Sequence, residues 1–90
     1  MATAQIFKSI ADDTRLAIIR KLAAVHEAVP CKTIVNDCSI ALNLSQPTMS
    51  HHLARLVQAE VLLERKVGKE KFYTLNRELL LSTGINPDKL

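Results

Sequence analysis

The chain has 90 residues, 48% of them hydrophobic, which supplies one modest core and too little material for a second. We therefore expect a single domain over residues 1–90. No apolar run approaches the roughly 18 residues that a membrane-spanning helix needs, and acidic residues interrupt the start of the chain where a signal peptide would be apolar. These features argue against a membrane protein and predict a cytoplasmic protein without a membrane partner.

Positive charge is concentrated in the second half of the chain. The net charge is +3 and the isoelectric point is near 9.1. Between Ser45 and Arg77, six Lys or Arg residues stand against three acidic ones. A localised basic surface favours a polyanionic partner, although solvated Lys and Arg side chains are the default on any protein surface. Charge alone leaves both interpretations open.

The first third of the chain has the pattern of two helices. Apolar residues at helical spacing predict a short helix over residues 4–11, and Asp12 is placed to cap the helix that follows. That second helix is expected to be the longest core helix. Its buried face is predicted from positions that recur at steps of three and four residues, namely Leu16, Ile19, Leu22, Ala23 and His26.

A proline separates the second helix from the third. Pro30 favours an extended residue before it, and Thr33 is placed to cap the next helix. Positions on one face of this third helix are expected to be buried: Ile34, Val35, Cys38, Ala41 and Leu42. Cys38 is therefore predicted to lie on the core side.

The stretch "NLSQPTMSHHLARL" predicts a tight turn and a fourth helix with two different faces. Asn43 tolerates the left-handed turn conformation, Ser45 can cap the helix, and Pro47 is acceptable in a first turn. The predicted buried stripe consists of Met49, Leu53, Leu56 and Val57, with Glu60 near its end. The opposite face is rich in hydrogen-bonding side chains.

Two short runs with strand character follow, joined at Gly68, and they predict a β-hairpin. Its apolar anchors are expected to be Leu63, Val67, Phe72, Tyr73 and Leu75, and its basic residues are Arg65, Lys66, Lys69 and Lys71. After it, the tail predicts one or two turns of helix that end before Gly84 and Pro87.

This order predicts a mainly α protein with a small β-hairpin, namely a winged helix-turn-helix of order α-α-α-α-β-β with a short C-terminal helical segment. A major groove admits one helix, and a flanking cationic hairpin can neutralise phosphates. The predicted contacts to double-stranded DNA are Gln46, Thr48, Ser50, His51 and Arg55 on the helix and Arg65, Lys66, Lys69 and Lys71 on the hairpin.

The segments "IADDTRLAIIRKL" and "ALNLSQPTMSHHLARLVQAEVLLERKVGKEKFYTL" resemble the ArsR family of winged-helix repressors, over roughly Ile10 to Leu75. The resemblance implies a homodimeric repressor that binds an operator and releases it when a ligand binds. Many members sense metals through a CxC-type box on the helix before the recognition helix. The corresponding positions here are Ile34 and Asn36, so that box is absent.

Several alternatives stay open at this point. Neighbouring residues on a helix point about 100° apart, so His51 and His52 are poor partners for one metal ion. A thiol or soft-metal sensor could instead form from Cys31, Cys38 and His26, although Cys38 also fits a buried apolar role. The fold could also serve as a protein-interaction module. We expect no enzyme activity and no cofactor, because no phosphate loop, activated-serine motif or catalytic carboxylate pair is present.

Overall fold

The computed structural model describes residues 3–90, with the side chains of residues 6–8 and 10–90. Residues 1 and 2, which belong to the expected domain, lie outside the described residues. The elements are α1 (Thr3–Ile10), α2 (Asp13–Ala23), β1 (Val29–Pro30), α3 (Cys31–Leu42), α4 (Gln46–Gln58), β2 (Leu62–Val67), β3 (Glu70–Leu75), α5 (Arg77–Ser82) and a 3₁₀ turn (Pro87–Lys89). The predicted winged helix-turn-helix is confirmed, with one strand added. Within residues 3–90, no helix is long and apolar enough to cross a membrane.

Two helices begin at the predicted capping residues. The Asp12 carboxylate accepts hydrogen bonds from the backbone amides of Thr14 at 2.9 Å and Arg15 at 3.1 Å. The Ser45 hydroxyl accepts one from the amide of Thr48 at 3.3 Å, and Pro47 lies in the first turn of α4. Each cap satisfies donors that have no partner inside the helix.

The start of α3 differs from the prediction. The helix begins at Cys31 directly after Pro30, whose extended backbone occupies the capping position, so Thr33 is not the cap. The reason is the strand β1, which the sequence did not reveal. Val29 pairs with Tyr73 and Pro30 with Phe72, giving an antiparallel sheet of order β1-β3-β2. This two-residue strand exists because β3 offers it a free edge.

The hairpin has the predicted turn. Val67 pairs with Glu70 across a two-residue loop, and Gly68 has a φ of +63° that favours glycine. Its anchors were partly mispredicted. Leu63 and Val67 are 51% and 54% exposed because they point to the face of the sheet opposite the core. The predicted anchors Tyr73 and Leu75 are buried and Phe72 is half-buried. Leu62, which was not among the predicted anchors, is buried as well.

One aliphatic core joins the helices to the base of the sheet. Its fully buried members include Ile18 and Ile19 of α2, Ile34 of α3, Met49, Leu53 and Leu56 of α4, and Leu80 of α5. Cys38 is buried with them, as predicted.

Three positions assigned to buried faces are exposed. His26 lies beyond the end of α2, which has 11 residues and is shorter than α4 with 13, so the prediction of a longest second helix is wrong. Glu60 lies past the end of α4 with a φ of +64°, which turns it out of the stripe. Ala41 is exposed near the end of α3.

Two adjacent polar residues tie the C-terminal helix to the rest of the fold. The Arg77 guanidinium donates hydrogen bonds to the carbonyl oxygens of Ala23 at 2.8 Å and Val25 at 3.2 Å, and it pairs with Asp88 at 3.1 Å. The Asn76 side-chain amide donates to the carbonyl oxygen of Glu60 at 2.9 Å. The end of α2 and the junction between α4 and β2 are therefore both attached to the start of α5.

We predict that Arg77→Ala lowers the free energy of unfolding by about 2 kcal/mol, because charge-assisted hydrogen bonds to two carbonyl oxygens are lost. Urea denaturation followed by circular dichroism would measure this loss. Asp88→Asn should cost less than about 0.5 kcal/mol, since Asp88 is 62% exposed. Arg65→Ala on the exposed hairpin is the matched control. Equal losses in all three variants would contradict the assignment.

Candidate nucleic-acid interface

A three-residue turn fixes the angle between α3 and α4. Asn43 adopts the left-handed conformation, with φ 54° and ψ 48°, and the amide of Leu44 donates to the carbonyl oxygen of Ser39 at 3.0 Å. Ser45 then caps α4. Asn43 ends α3 and Ser45 caps α4 two residues later, so the connection between the two helices is short and fixed. It is the local geometry of a helix-turn-helix.

The core anchors α4 along one side. Met49, Leu53 and Leu56 are at most 1% exposed. The predicted DNA-contacting side chains of this helix are all exposed: Gln46, Thr48, Ser50, His51 and Arg55. The Thr48 hydroxyl also shares a 2.8 Å hydrogen bond with the Ser45 hydroxyl, so it is partly engaged in the cap. The helix thus presents a polar face of short and planar side chains while its other face is fixed.

The two adjacent histidines have different surroundings. His51 is exposed, whereas the His52 side chain is 17% exposed and its Nδ1 lies 3.8 Å from Oδ1 of Asp12. That distance is too long for a hydrogen bond, so the two side chains form an ion pair only when the imidazole is protonated. Among the described residues, no group of three or more His, Cys, Asp or Glu side chains could hold a metal ion. His52 is therefore a residue of α4 that faces Asp12 at the start of α2.

The hairpin is basic and places two lysines at opposed positions of its strands. Its four predicted phosphate-contacting side chains, Arg65, Lys66, Lys69 and Lys71, are exposed, and within residues 3–90 none of them has an ion-pair partner. In the sheet register, Lys66 stands directly opposite Lys71. Like charges at opposed positions destabilise a strand pair. An anion bound between them would relieve this repulsion.

The structure separates the residues of the predicted sensor. His26 is exposed in the loop after α2, Cys31 is half-buried as the first residue of α3, and Cys38 is buried two turns further along. Two turns of helix correspond to about 10 Å. Burial raises the pKa of the Cys38 thiol, and Asp37 adds to this while Lys21 opposes it. These three residues do not form a three-ligand metal site in this fold.

Sequence reasoning missed a contact between Cys31 and the sheet. Burial raises the pKa of Tyr73 above its usual range, and its neighbours Cys31 and Glu64 add to this. The contact links the first residue of α3 to both strands of the hairpin. It depends on β1 pairing with β3, and the only sequence signal for that pairing was the extended conformation that Pro30 favours.

A cleft of about 390 Å³ opens between the start of α3 and the far end of the hairpin. It is lined by Pro30, Cys31, Lys32, Lys69, Glu70 and Lys71. Two of these lysines were predicted from the sequence as phosphate contacts. Lys32 was not, because the sequence pattern did not place it next to the hairpin.

Comparison with known proteins gives consistent matches. A family profile described as a helix-turn-helix domain matches residues 10–65. The chain is 43% identical over 72 residues to the arsenical resistance operon repressor of Escherichia coli K12, covering 80% of this chain and 57% of that protein. It is 35% identical over 75 residues to the transcriptional repressor SdpR of Bacillus subtilis 168, covering 83% and 77%. The chain thus spans little more than half the length of the Escherichia coli relative.

A solved structure supports the fold independently. The homodimeric winged helix-turn-helix DNA-binding domain Mb0332 of Mycobacterium bovis, a possible ArsR-family regulator, superposes with a TM-score of 0.71 at 22% identity. The superposition covers 88% of this chain and 68% of that one.

We predict that the cap at Asp12 makes stability depend on pH. Burial raises the pKa of Asp12, but the amide of Arg15, the charges of His52 and Arg15, and the amide of Thr14 together outweigh it, so the pKa lies below 3.8. The ionised cap therefore stabilises the fold above about pH 4, and this stabilisation is lost as the pH falls through the folded-state pKa.

The test compares wild type with Asp12→Asn, which keeps a capping oxygen but removes the charge. We expect the variant to be less stable by about 0.5 kcal/mol at neutral pH. The difference should shrink as the pH falls from about 4 through the folded-state pKa of Asp12. Denaturant titrations at several pH values would measure it. A difference that stays constant over that range would contradict the prediction.

Proposed function

Because this chain belongs to the ArsR family of winged helix-turn-helix transcriptional regulators, we propose that it is a repressor that binds an inverted-repeat operator as a dimer and is released by a signal. The observation that carries the proposal is the two-sided character of α4. Its buried face is fixed by Met49, Leu53 and Leu56, while its other face is polar and exposed. A helix held in this way can enter a major groove without changing shape.

In this proposal, the exposed side chains of α4 read base edges. Gln46 can form a paired donor and acceptor contact with adenine, and Ser50 and His51 can donate or accept single hydrogen bonds. Arg55, further along the helix, can reach a guanine or a phosphate. The cap hydrogen bond of Thr48 leaves its methyl group for contact with a thymine methyl.

The basic hairpin would neutralise phosphates beside the groove. Arg65, Lys66, Lys69 and Lys71 have no ion-pair partner among the described side chains, so binding DNA breaks no internal salt bridge. It would also relieve the repulsion between Lys66 and Lys71. Such contacts release counterions, which makes the affinity depend steeply on salt.

The dimer interface is proposed on α1 and α5. Each of these helices exposes a large apolar side chain, Phe7 at 45% and Leu81 at 58%. The family resemblance implies contact between the first and last helices of the two subunits. A twofold dimer would place two recognition helices about one turn of DNA, or roughly 34 Å, apart, which fits an inverted repeat.

A thiol-mediated signal would depend mainly on Cys31. Cys31 is half-buried at the surface cleft, whereas Cys38 is buried in the core. The relative from Escherichia coli is named for arsenical resistance, but Ile34 and Asn36 occupy the positions of the usual metal box. Operator release measured with thiophilic metals and oxidants, for wild type, Cys31→Ser and Cys38→Ser, would test this. A response that survives both substitutions would exclude a thiol sensor.

We predict two different losses from substitutions in the DNA-binding surface. Gln46→Ala should weaken operator binding by about 1–3 kcal/mol and leave binding to random duplex unchanged, because it removes a base contact. Lys69→Gln should weaken both equally and reduce the salt slope by about 1, because it removes a phosphate contact. Lys89→Gln, at the exposed C-terminal turn, is the matched control.

Footprinting on DNA upstream of the gene, followed by affinity measurements at several salt concentrations, would give these values. If upstream DNA binds no better than random duplex at any salt concentration, the repressor proposal is wrong. If Gln46→Ala and Lys69→Gln also leave cellular function intact, the protein-interaction alternative gains support.

We predict that Phe7→Glu combined with Leu81→Glu converts the dimer to a monomer, because two charges would be buried at the interface. Sedimentation equilibrium would show the change in mass, and operator affinity should fall by at least 100-fold as the two half-sites are no longer bound together. Ile40→Glu is the control, since Ile40 is 83% exposed on α3. A dimer that persists in the double variant would place the interface elsewhere.

A further inference from the structure

The cleft between α3 and the hairpin has cationic side chains on both walls. Lys32 lies on the wall formed by the start of α3, and Lys69 and Lys71 lie on the wall formed by the hairpin. Glu70 is the single acidic residue among its lining residues. The cleft therefore carries an excess of positive charge within a concave surface, where the field of several charges adds.

The sheet register builds this arrangement. Pro30 pairs with Phe72, so the residues that follow Pro30 run alongside the part of β3 that precedes Phe72. This brings the start of α3 next to Lys71 and the hairpin loop, although about 40 residues separate them in sequence. The strand β1, which leads directly into α3, is paired with β3 of the hairpin.

The cationic groups of the cleft are not neutralised within the protein. In the part of the chain that the structure describes, Lys32, Lys69 and Lys71 have no ion-pair partner, and all three are exposed. Glu70 lies in the same cleft without pairing to any of them within 4.0 Å. The three ammonium groups therefore keep their donors for an external anion.

We propose that this cleft binds one backbone phosphate of the DNA duplex, with Lys32 contacting it from one side and Lys69 and Lys71 from the other. The inference rests on the proposed DNA-binding function and extends its contact surface from the hairpin to the start of α3. A phosphodiester fits better than a free anion because the hairpin carries a further cation, Lys66, directly opposite Lys71, and this side chain would meet a neighbouring phosphate of the same strand.

The bound phosphate would also cover Cys31, which forms part of the cleft wall. Access to the Cys31 thiol would then depend on DNA, whereas Cys38 is buried in the protein core. This provides a chemical readout of cleft occupancy that is independent of affinity.

The first experiment compares Lys32→Gln with Lys89→Gln in the full chain. We expect Lys32→Gln to weaken binding to operator and random duplex by the same factor, about 3- to 10-fold at 0.1 M salt, and to lower the salt slope by about 1. Lys89→Gln should change neither. If Lys32→Gln binds like wild type while Lys69→Gln is weakened, the cleft proposal is wrong and the repressor proposal stands. If the wild-type protein does not bind DNA, both are wrong.

The second experiment follows alkylation of Cys31 by iodoacetamide with mass spectrometry, using Cys38 as the internal reference. We expect duplex DNA to slow the reaction of Cys31 at least fivefold. Inorganic phosphate at equal ionic strength should not slow it. Equal protection by inorganic phosphate would overturn the duplex assignment and indicate a small-anion site. A rate that DNA leaves unchanged would overturn the cleft proposal while operator binding is still observed.

Discussion

The burial of one side of α4 is the interaction on which the other parts of the interface depend. Met49, Leu53 and Leu56 are held in the same core as Ile18 and Ile19 of α2. Their burial, worth roughly 1.5–3 kcal/mol for each side chain, fixes the rotation of the helix about its axis. Because residues on a helix are about 100° apart, fixing the apolar side also fixes the direction of the polar side. The packing of the core and the direction of the polar face are thus two consequences of one spacing.

The sheet supplies the second constraint, since it determines what lies next to the hairpin. Val29 and Pro30 add only two residues to the sheet, yet their pairing with β3 places the start of α3 against the hairpin. Cys31 then contacts Tyr73 and borders the cleft. The pairing of β1 with β3 is short and contributes little stability by itself. It nevertheless places the side chains at the start of α3 next to those of the hairpin.

Features that depend on neighbouring residues could be predicted from the sequence. The caps at Asp12 and Ser45, the left-handed turn at Asn43 and the loop at Gly68 all arise from interactions within four residues. Features that depend on distant partners could not. β1 exists because β3 has a free edge, and periodicity alone could not show that His26 and Glu60 fall beyond the ends of their helices. Lys32 could not be predicted as a site residue either, because only the pairing of β1 with β3 places it next to the hairpin.

The paired attachments of Asn76 and Arg77 give the C-terminal helix a mechanical role. Asn76 donates a hydrogen bond to the carbonyl oxygen of Glu60, just after α4, and Arg77 donates one to Ala23 at the end of α2, so the start of α5 is bonded to both helices. A tilt of α5 would act on the ends of α2 and α4 through these hydrogen bonds, because no flexible linker lies between them. The distance between equivalent helices in any twofold pair built on α5 would therefore respond directly to the angle at which the two copies meet.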